Sequence, residues 1–218
     1  MATEIAGRRP AQDPGETLKI LHLITDLGKG GAERFLVDFC TALHGRPDVE
    51  LVIGSLFGND QYQAYTVTLP IEPLNYELFS FRKAQGYEAY GRLLDRFRPH
   101  IIHTHRFLAE FLSAQHLTAE AAYVCHGHDN MVQLARAGLG TFLNREKLNN
   151  WLEKRYLIRK KYRRVRTAFI ANSRHTLEYY RHVLPSSMRE DVHLIPYGFD
   201  YRRFAAPTSK VLDPGRPL

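Results

Sequence analysis

Hydrophobic positions along this chain fall into short apolar runs that alternate with stretches spaced for one face of a helix. The first pair is the clearest. Residues Ile20 to Ile24 form an apolar run of strand length, rich in β-branched side chains. Ala32, Phe35, Leu36, Phe39, Cys40 and Leu43 then recur at the three- and four-residue spacing of a helix with one buried face. Between them, Gly28, Gly30 and Gly31 predict a tight turn.

The alternation continues to the far end of the chain. Strands are predicted over Val49–Leu56, within the extended stretch Val67–Leu74, and over Ile101–Thr104, Ala121–Cys125, Ala168–Ala171 and Val192–Ile195. Helical spacing covers Gln85–Phe97, which Pro99 stops, and Phe107–His116. It also covers most of Asn130–Arg166, with a break near Gly138–Thr141, and Ser173–Val183, where Ser173 is a natural N-cap. Asn59–Tyr65 reads as polar loop. This order predicts an α/β fold, a Rossmann-like open and mostly parallel sheet with helices on both faces.

Ligands of such sheets gather outside the carboxyl ends of the strands. The glycine turn, His103 and His105, His126 and His128 with Asp129, and Asn172–Ser173 all fall at those ends. Glycine lets a ligand approach the backbone, and a helix starting near Gly31 offers unpaired N–H groups to an anion. The turn GKGGAE lacks the Lys-Ser/Thr pair of a Walker loop and departs from GxGxxG. A connection without a ligand is the competing reading.

Each histidine pair has i, i+2 spacing and so shares one face of its strand. Three chemistries fit: a metal site, a neutral imidazole exchanging a proton beside a substrate hydroxyl or phosphate, and rings that merely close a strand end by hydrogen bonding.

Composition is that of an ordinary globular chain, 218 residues with 44% hydrophobic and 24% charged. The two cysteines, Cys40 and Cys125, fall in a helix face and a strand, so reduced buried thiols and a cytoplasmic setting are expected. Residues 1–17 are polar, lack a signal-type apolar core and are expected to be disordered. No apolar run is long enough to span a bilayer.

Charge is concentrated. Lys154, Arg155, Arg159, Lys160, Lys161, Arg163, Arg164 and Arg166 lie in one 13-residue run without an acid, and the remaining 22 basic residues face 23 acidic ones. With Trp151, Ile158, Tyr162 and Val165 as a seam, the run predicts an amphipathic helix with a cationic outer face. A solvated face and an anionic membrane surface are the main readings. No nucleic-acid fold signature accompanies it, so no nucleic-acid partner is expected.

Five stretches, LKILHLITDLGKGGAERFLVDF, RPHIIHTHRF, YVCHGHDN, FIANSRHTLEYY and VHLIPYGFDYRRF, occur in the order seen in family-four GT-B glycosyltransferases. Over roughly Leu18 to Phe204 the chain resembles their N-terminal, acceptor-side domain. The resemblance implies retaining sugar transfer from a UDP- or GDP-sugar to a glycan or lipid-linked acceptor, with no bound metal or other cofactor. It implies that Gly30 and Gly31 lie beside the donor diphosphate and the acceptor, and that His126 stands at the reacting centre. His105, Asp129, Ser173 and Arg174 complete the expected substrate-binding set. Arg174 departs from the family's usual acid, and Tyr197 replaces the asparagine of its Pro-Asn-Gly stretch.

The family's second domain, with its Glu-x7-Glu motif, has no counterpart here. The expected organisation is therefore one half of a GT-B fold over 18–204 and the start of an interdomain linker over 205–218, inactive alone. The cationic face would hold it peripherally at the inner membrane surface. A non-enzymatic module binding an anionic sugar or lipid headgroup, and a metal-dependent hydrolase built on the histidines, are the alternatives.

Overall fold

The computed structural model describes residues 17–198, apart from 81, 82, 86 and 139. The segment expected to be disordered lies outside the described residues except for Thr17, and the expected linker lies wholly outside them. Strand β1 (Leu18–Ile24) leads through the glycine turn to helix α1 (Gly31–His44) and back to β2 (Val49–Ser55). A single-turn helix α2 (Gln63–Thr66), where sequence predicts only loop, precedes β3 (Ile71–Pro73). A hairpin of β4 (Glu77–Ser80) and β5 (Lys83–Gln85) then stands apart as its own small sheet. Sequence does not predict this hairpin, because its strands are short and not strongly apolar.

After α3 (Tyr87–Phe97) come β6 (Ile101–His105), α4 (Arg106–Ser113) and β7 (Ala122–Gly127). Helix α5 (Arg145–Leu157), β8 (Thr167–Ala171), α6 (Arg174–Val183) and β9 (Val192–Leu194) complete the order. The region predicted as mostly helical over 130–166 is less regular than expected. It holds a 3-10 turn at Val132–Leu134, then α5, then a π turn at Ile158–Tyr162.

Seven strands form one parallel sheet in the order β3-β2-β1-β6-β7-β8-β9. The chain winds outward from β1 to β3, then returns to lay β6 on the other side of β1. Strand alternation sorts the core. Ile20 and Ile24 pack with Leu36, Val37 and Cys40 of α1 on one face. Leu21, Leu23 and Ile102 pack with Tyr90, Leu93 and Phe97 of α3 and Leu112 of α4 on the other. A further cluster joins Cys125 and Phe169 to Leu157, Tyr162 and Tyr180. Helices therefore cover both faces, as predicted. Both cysteines are free and buried, and burial pushes their thiol pKa values up.

Candidate functional site

The winding reverses between β1 and β6, and this switch point is where an open α/β sheet leaves a crevice at its strand ends. The residues there are histidines. Register sets His22 opposite His103 and His105 opposite His126. His128 follows just beyond β7, so imidazoles from three adjacent strands form one column. His22, His103, His105 and His126 are buried. Phe35 and Phe39 of α1 close over them, with Phe39 edge-on to His22 and Phe35 edge-on to His126.

The column is partly a hydrogen-bonded chain. His22 Nδ1 stands 3.1 Å from His105 Nε2, and His105 Nδ1 stands 2.9 Å from His128 Nε2. His128 Nδ1 meets the Tyr197 hydroxyl, and the Tyr197 ring stacks on Phe35 at 4.6 Å. Both ring nitrogens of His126 lack a hydrogen-bond partner among the described residues. Burial disfavours the imidazolium throughout. It takes His22 and His128 down to about 3, with help from the nearby His126, and takes His126 down to about 4. His103 and His105 are likewise lowered, by burial first and then by the other histidines. The column is thus neutral at physiological pH.

The glycine turn differs from an empty anion cradle. Gly30 is the N-cap of α1 in extended backbone, and the Glu33 carboxylate folds back against it, where a side chain at position 30 would collide. A negative charge near a helix N-terminus is favourable, so Glu33 already answers part of the helix's positive end. It also pairs with Arg106 at 3.0 Å. Arg106 follows His105 with φ 71, left-handed backbone that costs a non-glycine residue about 1–2 kcal/mol. This ion pair ties the end of β6 to the start of α1. Gly31 is exposed, with open space around it.

Asp129 is exposed at the exit of β7, and its carbonyl accepts a long hydrogen bond from the Tyr180 hydroxyl at 3.4 Å. Ser173 caps α6, its Oγ accepting from the Thr176 N–H at 3.2 Å, and Arg174 is exposed in the first turn. Asn172 donates to the carbonyl of His128, linking the β8 and β7 exits. Sequence reading missed His22, although an ionisable side chain inside an otherwise apolar strand run was visible. It also missed the Glu33–Arg106 pair, which joins residues far apart in the chain.

The basic run needs correction. Lys161 is wholly buried and bonded to Glu110 at 2.8 Å, because the π turn carries it into the core instead of leaving it on the outer face. Lys154 is half-buried and donates to the carbonyls of Leu134 and Val183, both at 2.7 Å. Arg166 pairs with Asp191 at 2.6 Å. Arg155, Arg159, Lys160, Arg163 and Arg164 remain exposed and without an ion pair among the described residues. Several of them border a groove of about 610 Å³ between α5 and the end of α6, away from the histidines.

The sequence pattern of Glycosyltransferase Family 4 matches residues 29–203. The chain belongs to glycosyltransferase family 4. Its match covers Gly30, Gly31, the histidines of β6 and β7 and the start of α6, while His22 precedes it. Among solved structures, HepE (Alr3699) of Anabaena, crystallised with UDP and glucose, matches with a TM-score of 0.61 at 20% identity, over 87% of this chain and 47% of that one. A glycosyltransferase of Rickettsia africae matches with a TM-score of 0.54 at 13% identity, over 87% and 45%. No curated protein matches in sequence. The family-4 chain thus spans about half the length of the GT-B structures it resembles, and its fold is half of theirs. No helix among the described residues is long and apolar enough to cross a membrane.

Proposed function

We propose that this family-4 domain is the acceptor-binding half of a retaining glycosyltransferase, which moves a sugar from a nucleotide donor to a glycan or lipid-linked acceptor. The observation that carries the reading is His126. It is buried, neutral and without a hydrogen-bond partner at either ring nitrogen among the described residues, at the strand ends beside the switch point. Such an imidazole can orient an acceptor or donor sugar hydroxyl by accepting or donating a hydrogen bond. That positioning places the reacting oxygen for attack. A structural match crystallised with UDP and glucose supports a nucleoside-diphosphate sugar as donor, UDP or GDP being the candidates.

In this reading the donor diphosphate lies near Gly30, Gly31 and the start of α1, with Arg106 beside the turn and Arg174 at the start of α6 as the cations that stabilise the leaving group. The Glu33 carboxylate makes the turn alone a poor anion site, which suits a cleft whose other wall comes from a second domain. Transfer draws on no resident cofactor. His105 and Asp129 flank His126, and Ser173 sets the start of α6.

A peripheral membrane contact on the cytoplasmic side is part of the proposal. Exposed Phe142 packs edge-on against Trp151, with Leu143 beside it in sequence and 91% exposed. Arg155 lies over the Trp151 ring. Apolar side chains beside arginines that have no ion pair among the described residues fit an anionic bilayer surface better than water alone.

Transfer from a nucleotide sugar, assayed on the enzyme carrying both domains, tests the central assignment. His126→Ala is expected to lower the rate by at least about a hundredfold, within the range for a positioned proton-exchanging group, with unchanged circular dichroism. A wild-type rate refutes it. The 218-residue chain alone is expected to show no turnover.

A further inference from the structure

The inner half of the histidine column is left without a task by the transferase reading. His22 and His103 face each other in register on β1 and β6, and His105 follows His103 on the same strand face. Their ring centroids lie 5.1, 4.3 and 5.4 Å apart, with planes tilted between 32° and 43°. His22 and His105 are 0% exposed and His103 is 8%. His103 Nε2 is buried with no hydrogen-bond partner among the described residues. A buried polar group left unpaired costs about 1–3 kcal/mol, and each such group calls for an explanation, an ion being one.

We propose that His22, His103 and His105 form an inner site for a borderline divalent first-row cation, zinc above all. Each ring can offer one nitrogen such that the three lie within 4.8 Å of one another. Zinc–nitrogen bonds of about 2.0–2.1 Å in a tetrahedron set the ligand nitrogens about 3.4 Å apart. His22 Nδ1 and His105 Nε2 already stand 3.1 Å apart, so the cation takes the place of their hydrogen bond and the proton moves to the far nitrogen of the ring that donated it. Small ring rotations bring in His103. Neutral imidazoles suit zinc, nickel, cobalt or copper, whereas calcium and magnesium want oxygen.

A rival grouping is His105, His126 and His128. There the His126 and His128 rings stack 4.2 Å apart at 13°, so their in-plane lone pairs run side by side instead of converging. In the inner triad His103 and His105 are as close, at 4.3 Å, but tilted by 32°, and His22 faces them from the neighbouring strand. Its burial leaves no room for a sugar, so the cation is structural, with one water as fourth ligand, and clamps β1 to β6 at the switch point. The inference is independent of the transferase reading, which rests on His126.

The test uses the purified 218-residue chain, stripped with a chelator and dialysed against Zn²⁺ or Co²⁺. The expected result is one equivalent bound, visible bands of tetrahedral Co²⁺, and a raised thermal midpoint. His22→Gln and His103→Gln should each weaken binding more than about a hundredfold, beyond the 10–100-fold typical of losing a mere outer-shell partner, while His126→Gln binds as the parent does. Nitrogen-15 spectra of the unaltered chain avoid any question of folding: coordination shifts are expected at His22, His103 and His105 and not at His128. Absence of saturable uptake, binding that survives His22→Gln but not His126→Gln, or a coordination shift at His128 overturns the inference.

Discussion

Lys161 donates to Glu110 Oε2 at 2.8 Å, and neither side chain has any exposed surface. Lys161 also donates to Ser113 Oγ at 2.7 Å, and the same carboxylate oxygen accepts from Thr104 Oγ1 at 2.5 Å. Thr104 lies between His103 and His105 on β6, so this network backs the strand whose other face carries the imidazoles. Removing one member of a buried ion pair strands the other charge and typically costs about 3–5 kcal/mol. Lys161→Met is expected to lower unfolding free energy by that amount in urea titrations. Glu110→Leu combined with Lys161→Met should recover most of the loss.

The histidine column sets an acid limit on stability. His22, His126 and His128 have folded pKa values of about 3, 4 and 3, below the ordinary 6.5. Between those values the unfolded chain binds the extra protons. Stability is therefore full above pH 6.5 and falls as pH drops toward 4, by about 1.4 kcal/mol per pH unit for each such group. The thermal midpoint in chelator-containing buffer should fall steeply from pH 6.5 to 5. A shallower slope is expected for His22→Gln, and an equal slope would remove His22 from this account.

Gly127, at the end of β7 between His126 and His128, lies against the ring of Tyr180, which a Cβ would overlap. Tyr180 is wholly buried and cannot swing aside. Gly127→Ala is expected to lower stability by about 1–3 kcal/mol, as overpacking does. Adding Tyr180→Leu should make the double variant more stable than the sum of the two single effects predicts, a non-additivity typical of residues in contact. Calorimetry of the four chains measures it.

Most of the fold was legible because parallel strands and one-sided helices leave clear apolar periods. Strand and helix identities along β1, α1, β2, α3 and α6 follow directly from that spacing, and Ser173 caps α6 as its residue type predicts. Two features were not legible for physical reasons. The π turn at Ile158–Tyr162 adds backbone without changing composition, so Lys161 read as surface charge while its partner Glu110 lay 51 residues away. His22 was hidden by the apolar residues around it, and only sheet register shows it beside His103. The glycine turn was legible as a turn, but the return of Glu33 onto Gly30 needs the side-chain conformation.

Exposed Arg155, Arg159 and Arg163 beside Trp151 and Phe142 make a measurable claim about surfaces. Each cation near an anionic leaflet contributes about 1 kcal/mol, so replacing all three by glutamine should weaken binding to phosphatidylglycerol vesicles by about a hundredfold. Sedimentation with vesicles reads it, and unchanged binding would remove these residues from the contact. Lys161→Met, in contrast, should leave vesicle binding as it was, since that side chain has no surface to offer.

The two outermost strands of the described sheet, β3 and β9, have three residues each, and β3 ends in Pro73. Short borders interrupted by proline give a neighbouring chain little backbone to bond with. Lateral growth of the sheet is thereby discouraged, and with it strand-by-strand aggregation. The long central strands, which carry the imidazoles, are shielded from such pairing by having partners on both sides.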